Sequence, residues 1–299
     1  MQLQPPSLTA AAVKAAKEIR DISPSSTLDL LPLPALQASS VQPPPARATS
    51  ARGRAHEVEI TDSGSVMASG ASELWEEGEC FIGHLGIGQE WGGPILARRT
   101  ICLQASVVEV ACGNLHTLLA TASGDVYSTG FGMEGALGHG DLLSLSVPRP
   151  VAALSNVCIA RVAAGGAHSI ALSSSGNVWT WGWGLYGQLG HGDTLSQLTP
   201  RRLIRNASDG PIIQVCAGAT YTVLVCSQGS VHTCGRASTG ALGHGSDAAD
   251  DLHRPMKVAA LDEVHVTQAT ADEEGVTVVS AHGERYAWGS VLGPLPIPL

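Results

Sequence analysis

Aromatic side chains make up only 4% of this 299-residue chain, with two phenylalanines in all. Any core must therefore pack on Ala, Val, Leu, Ile and bare backbone, which the 44% hydrophobic content allows. No stretch approaches the run of about 20 apolar residues that a membrane-spanning helix needs, so no membrane partner is expected. An apolar N-terminal h-region is also missing, and secretion is not expected. The seven cysteines include no C-x-x-C pair. They read as reduced, mostly buried thiols of an intracellular protein, in cytoplasm or nucleus, with Cys112, Cys216 and Cys226 inside apolar runs. The sequence holds no G-x-S-x-G elbow, no P-loop and no H-E-x-x-H, so no catalytic residue is nominated and no enzyme is expected.

Glycine is abundant, at 35 residues, and it is not scattered. One six-residue phrase occurs four times: G-H-L-G-I-G from Gly83, G-A-L-G-H-G from Gly135, G-Q-L-G-H-G from Gly187 and G-A-L-G-H-G from Gly240. The first, fourth and sixth places are always Gly: Gly83, Gly86, Gly88; Gly135, Gly138, Gly140; Gly187, Gly190, Gly192; Gly240, Gly243, Gly245. Successive copies start 52, 52 and 53 residues apart. A fixed period near fifty is the mark of a solenoid or a propeller. Glycine at fixed places marks backbone that needs positive φ or close approach, so these twelve are expected to be structural corners.

A second phrase lies upstream of each corner: Gly-x-x-His, an alternating strand, a turn glycine, then another strand ending at Gly. The clearest copy runs from Gly165 and His168 through S-I-A-L, S-S-G-N and V-W-T-W-G to Gly182. Gly113, His116, Gly124 and Gly130 form a second, and Gly53, His56, Gly64 and Gly70 a third. In the fourth, Tyr221 replaces His; in the fifth, Asp272 and Gly275 stand where Gly and His are expected. Alternation punctuated by Ser-Gly and Asp-Gly turns predicts antiparallel hairpins, with strands near 116–121, 125–129, 168–173 and 177–181. Short extended pieces such as V-P-R-P-V bring each unit to about four strands, the size of a propeller blade.

H-S-I-A-L-S-S-S-G-N-V-W-T-W-G followed by G-Q-L-G-H-G-D closely resembles the repeat of the regulator-of-chromosome-condensation family. The resemblance covers about residues 53–290 and implies a β-propeller, seven-bladed in that family. The expected fold class is thus all-β, an incomplete propeller of about four and a half repeats forming an open arc. Only 247 residues remain from Gly53, and V-L-G-P-L-P-I-P-L stands where a fifth corner would be. Four units and a strand pair are predicted for residues 53–299.

Residues 1–52 are rich in Ala, Pro, Ser and Gln and read as a disordered segment. It contains one short amphipathic helix over 8–20, whose cationic face is also what an organelle-targeting peptide offers. Lys14, Lys17, Arg20, Arg47, Arg52 and Arg54 against Glu18, Asp21 and Asp29 give residues 1–55 a net charge of +3, leaving −12 of the total −9 on the remainder. An acidic body repels phosphate backbones, so the repeats are not expected to bind nucleic acid directly. It suits a protein partner with a basic surface.

G-F-G-M-E-G and G-W-G-L-Y-G match a dinucleotide fingerprint, but the corner phrase follows where that fingerprint needs a helix, and no cofactor is expected. His139, His191 and His244 share one repeat position, as do His56, His116 and His168. Side chains a blade apart cannot meet on one ion, so no metal site is expected. These rings are read as donors to backbone carbonyls beside the corners. Asp141 and Asp193 are read as turn acceptors.

The first unit has thirteen residues from Gly70 to Gly83, where the others have five. The extra loop carries Glu73, Glu76, Glu77 and Glu79 around Leu74, Trp75 and Phe81. A loop added to a rigid scaffold is where binding is usually built, and these seven residues are the candidate partner-binding loop; the alternative is that Trp75 and Phe81 cover the edge of the first blade. The function expected is a non-enzymatic scaffold for protein–protein interaction. The family resemblance implies an alternative, guanine-nucleotide exchange on a small GTPase.

Overall fold

Period-two alternation produces strands, and glycine turns close them into hairpins. A computed structural model describes residues 49–52, 56–61, 65–70, 95–101, 103, 105–205, 210–245, 250–273 and 275–299. They form five four-stranded antiparallel sheets. The first sheet comprises β1 (Thr49–Arg52), β2 (His56–Ile60), β3 (Val66–Gly70) and β4 (Ile95–Ile101). The second comprises β5 (Val107–Cys112), β6 (His116–Thr121), β7 (Val126–Gly130) and β8 (Leu145–Pro150). The third runs β9 (Ile159–Ala164), β10 (His168–Ser173), β11 (Val178–Gly182) and β12 (Gln197–Arg202). The fourth runs β13 (Ile212–Ala217), β14 (Tyr221–Cys226), β15 (Val231–Gly235) and β16 (Leu252–Lys257), and the fifth β17 (Val266–Ala271), β18 (Gly275–Ser280), β19 (Arg285–Gly289) and β20 (Gly293–Pro298). Each sheet is a simple meander whose strands lie side by side in chain order. The first strands of successive sheets touch one another, and the fourth strands lie on the outside. This is an incomplete β-propeller. Among the described residues no helix is long and apolar enough to cross a membrane.

The predicted hairpins fall within one residue of their strands. Two expectations are corrected. The fifth unit is a whole sheet, because G-P-L-P-I-P forms β20 and pairs with β19 through Tyr286↔Pro298, Ala287↔Ile297 and Gly289↔Gly293. Proline cannot donate to a ladder, but on an edge strand the missing N–H faces outward, and Pro148, Pro200 and Pro255 occupy the same kind of outer strand. The first sheet also draws β1 from within residues 1–52, where disorder is expected, because Thr49–Arg52 pairs with Glu57–Ile60. The amphipathic helix over 8–20 lies outside the described residues.

The core sits between sheets. β6, β10 and β14 are buried along their whole length, since both faces are covered. Leu118, Ala120 and Val126 pack with Val162, Ala171 and Trp181 of the next sheet, and Val223, Val225 and Val231 pack with Val276, Val278 and Trp288. The fifth sheet differs on its other face. Thr277 stands where Leu118, Ile170 and Val223 stand in their strands, and exposed Arg285 where Val126, Val178 and Val231 stand. Burial along β18 accordingly alternates.

Candidate functional site

The corner phrase is the joint of the molecule. Gly135, Gly138, Gly140, Gly187, Gly190, Gly192, Gly240, Gly243 and Gly245 all have φ between +70° and +87°, a region that glycine enters without steric cost. Gly83, Gly86 and Gly88 lie outside the described residues. So do Glu73, Leu74, Trp75, Glu76, Glu77, Glu79 and Phe81, so the candidate partner loop receives no structural account.

Each corner is held twice, once from within its sheet and once from the next. Ser128 Oγ donates to Leu137 O at 2.7 Å, Thr180 Oγ1 to Leu189 O at 2.7 Å and Thr233 Oγ1 to Leu242 O at 2.7 Å. A hydroxyl has one proton, so each of these oxygens must accept from the histidine beside it: His139, His191 and His244 lie 2.9 Å away through Nε2. From the next sheet, Trp181 Nε1 donates to Ala136 O at 2.8 Å, and Trp288 Nε1 to Ala241 O at 2.8 Å. Cys234 takes the indole's place in the fourth sheet, its Sγ donating to Gln188 O at 3.6 Å. Ser169 Oγ also donates to Ala136 O at 2.7 Å, and Thr222 Oγ1 to Gln188 O at 2.8 Å.

The upstream histidines complete the same network. His116 Nε2 lies 3.0 Å from Ser169 Oγ, and His168 Nε2 3.1 Å from Thr222 Oγ1, each crossing to the following sheet. Here too the hydroxyl proton is already given to a corner carbonyl, so the ring donates from Nε2. For His116, His168, His139, His191 and His244 the expectation of bonds to backbone carbonyls is thus corrected: each donates to a hydroxyl that relays to the carbonyl. The Gly-x-x-His spacing has a steric cause, because a Cβ at Gly113 or Gly165 would collide with the ring of His116 or His168. Tyr221 is longer and reaches the fifth sheet directly, its hydroxyl 2.7 Å from both Asp272 O and Gly275 O. Burial pushes His116 down to about 4 and His168 to about 3, the second also feeling His116. His168 Nδ1 is buried without a hydrogen-bond partner, so nothing there stabilises a second ring proton.

The inner strands are tied similarly. Glu109 on β5 accepts from Val162 N at 2.9 Å and from Arg161 at 3.1 Å. Gln214 on β13 accepts from Ala269 N at 2.9 Å and donates to Ala269 O at 2.7 Å. Each side chain caps the first strand of the next sheet. Burial raises the Glu109 carboxyl despite the opposing pull of Arg161.

A measurable consequence concerns Gly138 and Gly190. Both have positive φ, but a Cβ at Gly138 would come 2.7 Å from Trp181 Nε1, whereas one at Gly190 would stand 3.0 Å from Leu203 and 3.3 Å from Cys234 Sγ. Gly190→Ala should cost roughly 1 kcal/mol from backbone strain, and Gly138→Ala more, because the indole must also move off its carbonyl. Denaturant melts of the two variants give the comparison; equal midpoints with the parent would deny the corners their role.

The other expected features have plain structural fates. G-F-G-M-E-G leads into a single 3-10 turn, Met133–Gly135, and then the corner. Asp141 Oδ1 and Asp193 Oδ1 accept from the backbone N–H two residues on, Leu143 and Leu195, at 3.1 Å each, as turn acceptors do. Cys112, Cys216 and Cys226 are buried, as is Cys234; burial pushes the Cys216 and Cys234 thiols up to about 12. Among the described residues no three His, Cys, Asp or Glu side chains gather as metal ligands would.

Five meandering sheets joined at repeated glycine corners set the context for comparison. The family model of the RCC1-like domain matches residues 24–291. The chain belongs to that family. Its match begins upstream of Gly53. Over 240 residues the chain is 30% identical to the Arabidopsis thaliana ultraviolet-B receptor UVR8, covering 79% of this chain and 52% of the receptor. It superposes on human WBSCR16 with a TM-score of 0.72 at 24% identity, over 82% of this chain and 65% of the other. For Prp20p of Saccharomyces cerevisiae the TM-score is 0.69 at 20% identity, over 82% and 61%. The two structural likenesses establish the fold. The chain spans about half the length of UVR8.

What the sequence left unnoticed is that the residues of this RCC1-like chain work in pairs. Ser128, Thr180 and Thr233 each precede their corner histidine by eleven positions. In the first unit the same two places hold Ala68 and Ile87, so hydroxyl and ring are lost together. In the fifth, Ala287 occupies the hydroxyl place and no corner phrase follows.

Proposed function

We propose that this chain is a non-enzymatic scaffold that binds another protein through the face carrying its corner loops. The observation behind the reading is a division of labour. The repeated histidines, hydroxyls and indoles, which are the side chains with chemistry to offer, are spent on joining sheet to sheet. The loops at the corner end instead expose Leu142, Leu143, Leu185 and Leu195. Rigid elements that present variable loops are the usual platform for binding. Prp20p, similar in fold, has been characterised for its binding to Gsp1p and histones, which supports a protein as the class of partner.

The test is a pull-down with the full chain, identification of the partner, and a nucleotide-release assay on any GTPase recovered. Stable capture without accelerated release supports the scaffold; accelerated release supports the exchange-factor alternative. The acidic 71–82 insertion is a second proposed contact, directed at a basic surface. Shortening it to the five-residue spacing of the other units should leave the melting temperature unchanged and weaken capture, with a salt-sensitive on-rate lost. Undiminished capture would remove the loop from the binding surface; a lowered melting temperature would assign Trp75 and Phe81 to covering the first sheet.

A further inference from the structure

Two leucines at the same place in consecutive repeats are held rigidly and point into water. Leu143 follows the second corner and Leu195 the third, in D-L-L-S and D-T-L-S. Their exposures are 65% and 64%. Nothing about their backbone is loose. Asp141 and Asp193 fix the turn, Ser144 and Ser196 accept from Gly132 N and Gly184 N at 3.2 and 3.3 Å, and the carbonyls of Leu143 and Leu195 rest where a Cβ on Gly132 or Gly184 would be. An exposed leucine is ordinary by itself. The same locking holds two exposed leucines that belong to none of the core clusters.

These loops form one ridge with the neighbouring corners. Ser196 Oγ reaches Glu134 Oε2 at 3.3 Å, joining the third sheet's loop to the second corner. Glu134 has φ 60°, the only non-glycine residue with positive φ among the described residues. Beside Gly184, Leu185 is 42% exposed. Next to it Tyr186 is braced on both sides, edge-on against Trp183 at 5.2 Å and under the Arg236 guanidinium at 4.8 Å. The charges along the ridge are largely satisfied within the chain: Asp141 pairs with Arg149 at 3.9 Å and Asp193 with Arg201 at 3.3 Å. Arg236 is different. Among the described residues its guanidinium makes no hydrogen bond or ion pair, and stacking on Tyr186 uses its face and leaves its N–H donors outward.

We propose that Leu143, Leu195, Leu185, Tyr186 and Arg236 form a preorganised docking ridge for a protein segment that presents aliphatic side chains around one carboxylate. This names the partner chemistry of the scaffold proposed above and rests on that reading. With both aspartates paired, the ridge is mainly apolar; its Glu134 carboxylate accepts from Ser196, and the Arg236 guanidinium beside Tyr186 offers donors that would select an acid. Aromatic and arginine anchors carry interface energy well, and prior rigidity removes the ordering cost that binding otherwise bears.

The probe is a fluorescein-labelled sixteen-residue amphipathic peptide with a leucine stripe and one glutamate, with a lysine-for-glutamate twin and a serine-for-leucine twin, titrated against the full chain. The glutamate peptide should bind at least tenfold more tightly than the lysine twin, and the serine twin should not bind. Leu185→Asp with Leu195→Asp should weaken binding at least tenfold with an unchanged melting temperature, because both side chains are exposed. Arg236→Gln should abolish the preference for glutamate over lysine. Absence of binding by the glutamate peptide, or binding unaffected by the leucine pair, overturns the ridge. If the leucine-pair variant still captures the chain's protein partner, the ridge fails and the scaffold reading stands; if the parent chain captures no protein, the scaffold reading itself fails.

Discussion

Trp181→Ala should destabilise the protein by about 3–5 kcal/mol, the range for removing a buried large aromatic. The indole is fully buried between the second and third sheets, among Leu118, Ala120, Leu154 and Val162, so deletion leaves a cavity that β strands on both sides cannot collapse to fill. It also removes the donor to Ala136 O, although Ser169 still reaches that carbonyl, so the hydrogen-bond part of the loss is nearer 1 kcal/mol. Trp181→Phe separates the two contributions. Stability in a stacked-repeat protein is approximately a sum of repeat and interface energies, so the loss should concentrate at one junction and split a single unfolding transition into two. Urea unfolding followed by circular dichroism checks this; a single transition at the parental midpoint would show that the indole is not a joint.

Acid should be nearly as damaging. His116 and His168 are held neutral in the folded state, at about 4 and about 3 against an ordinary 6.5. Below pH 6.5 the unfolded chain binds a proton at each ring that the folded chain refuses, so stability falls as pH falls. Their contribution is fully present near pH 7.5. At pH 5 each ring has lost roughly 2 kcal/mol, about 4 kcal/mol for the two, and the loss levels off only as the folded rings protonate near pH 4 and pH 3. His139, His191 and His244 are also lowered, chiefly by burial, and act with the same sign. Glu109 acts oppositely, since its raised carboxyl takes up a proton more readily in the folded chain, and it offsets part of the loss. His116→Asn and His168→Gln, which cannot titrate, should flatten the profile between pH 7 and pH 5 whatever they cost at neutrality. A parent protein with equal stability at pH 7 and pH 5 would mean that the rings are not buried as described.

The architecture was legible because its signals are local. Positive φ at Gly138 or Gly190 is dictated by the backbone alone, and alternation in S-I-A-L marks a strand without reference to any neighbour. The last strand was obscured by Pro294, Pro296 and Pro298, residues that normally argue against pairing but are harmless on an outer edge. The histidine partners were obscured for a different reason. The role of each ring is set by a hydroxyl eleven positions earlier or a full repeat later, a spacing that no local pattern marks. The ridge was least legible of all: Leu143 and Leu195 look like any loop leucine until the glycine, serine and aspartate that lock them are seen together.

The joints also bear on how the chain acquires its shape. Ser169 and Trp181 reach Ala136 across 33 and 45 positions, Thr222 reaches Gln188 across 34, and even the longer ties, His168 to Thr222, Gln214 to Ala269 and Ser196 to Glu134, span 54, 55 and 62. Every one links a sheet to the sheet made just after it. Among the described residues these ties wait for no distant segment to arrive, and the loop-closure cost that slows other all-β proteins is limited to about one repeat at a time. A chain emerging from the ribosome can therefore dock each sheet onto its predecessor as it appears, each new indole or thiol sealing the corner left open by the last.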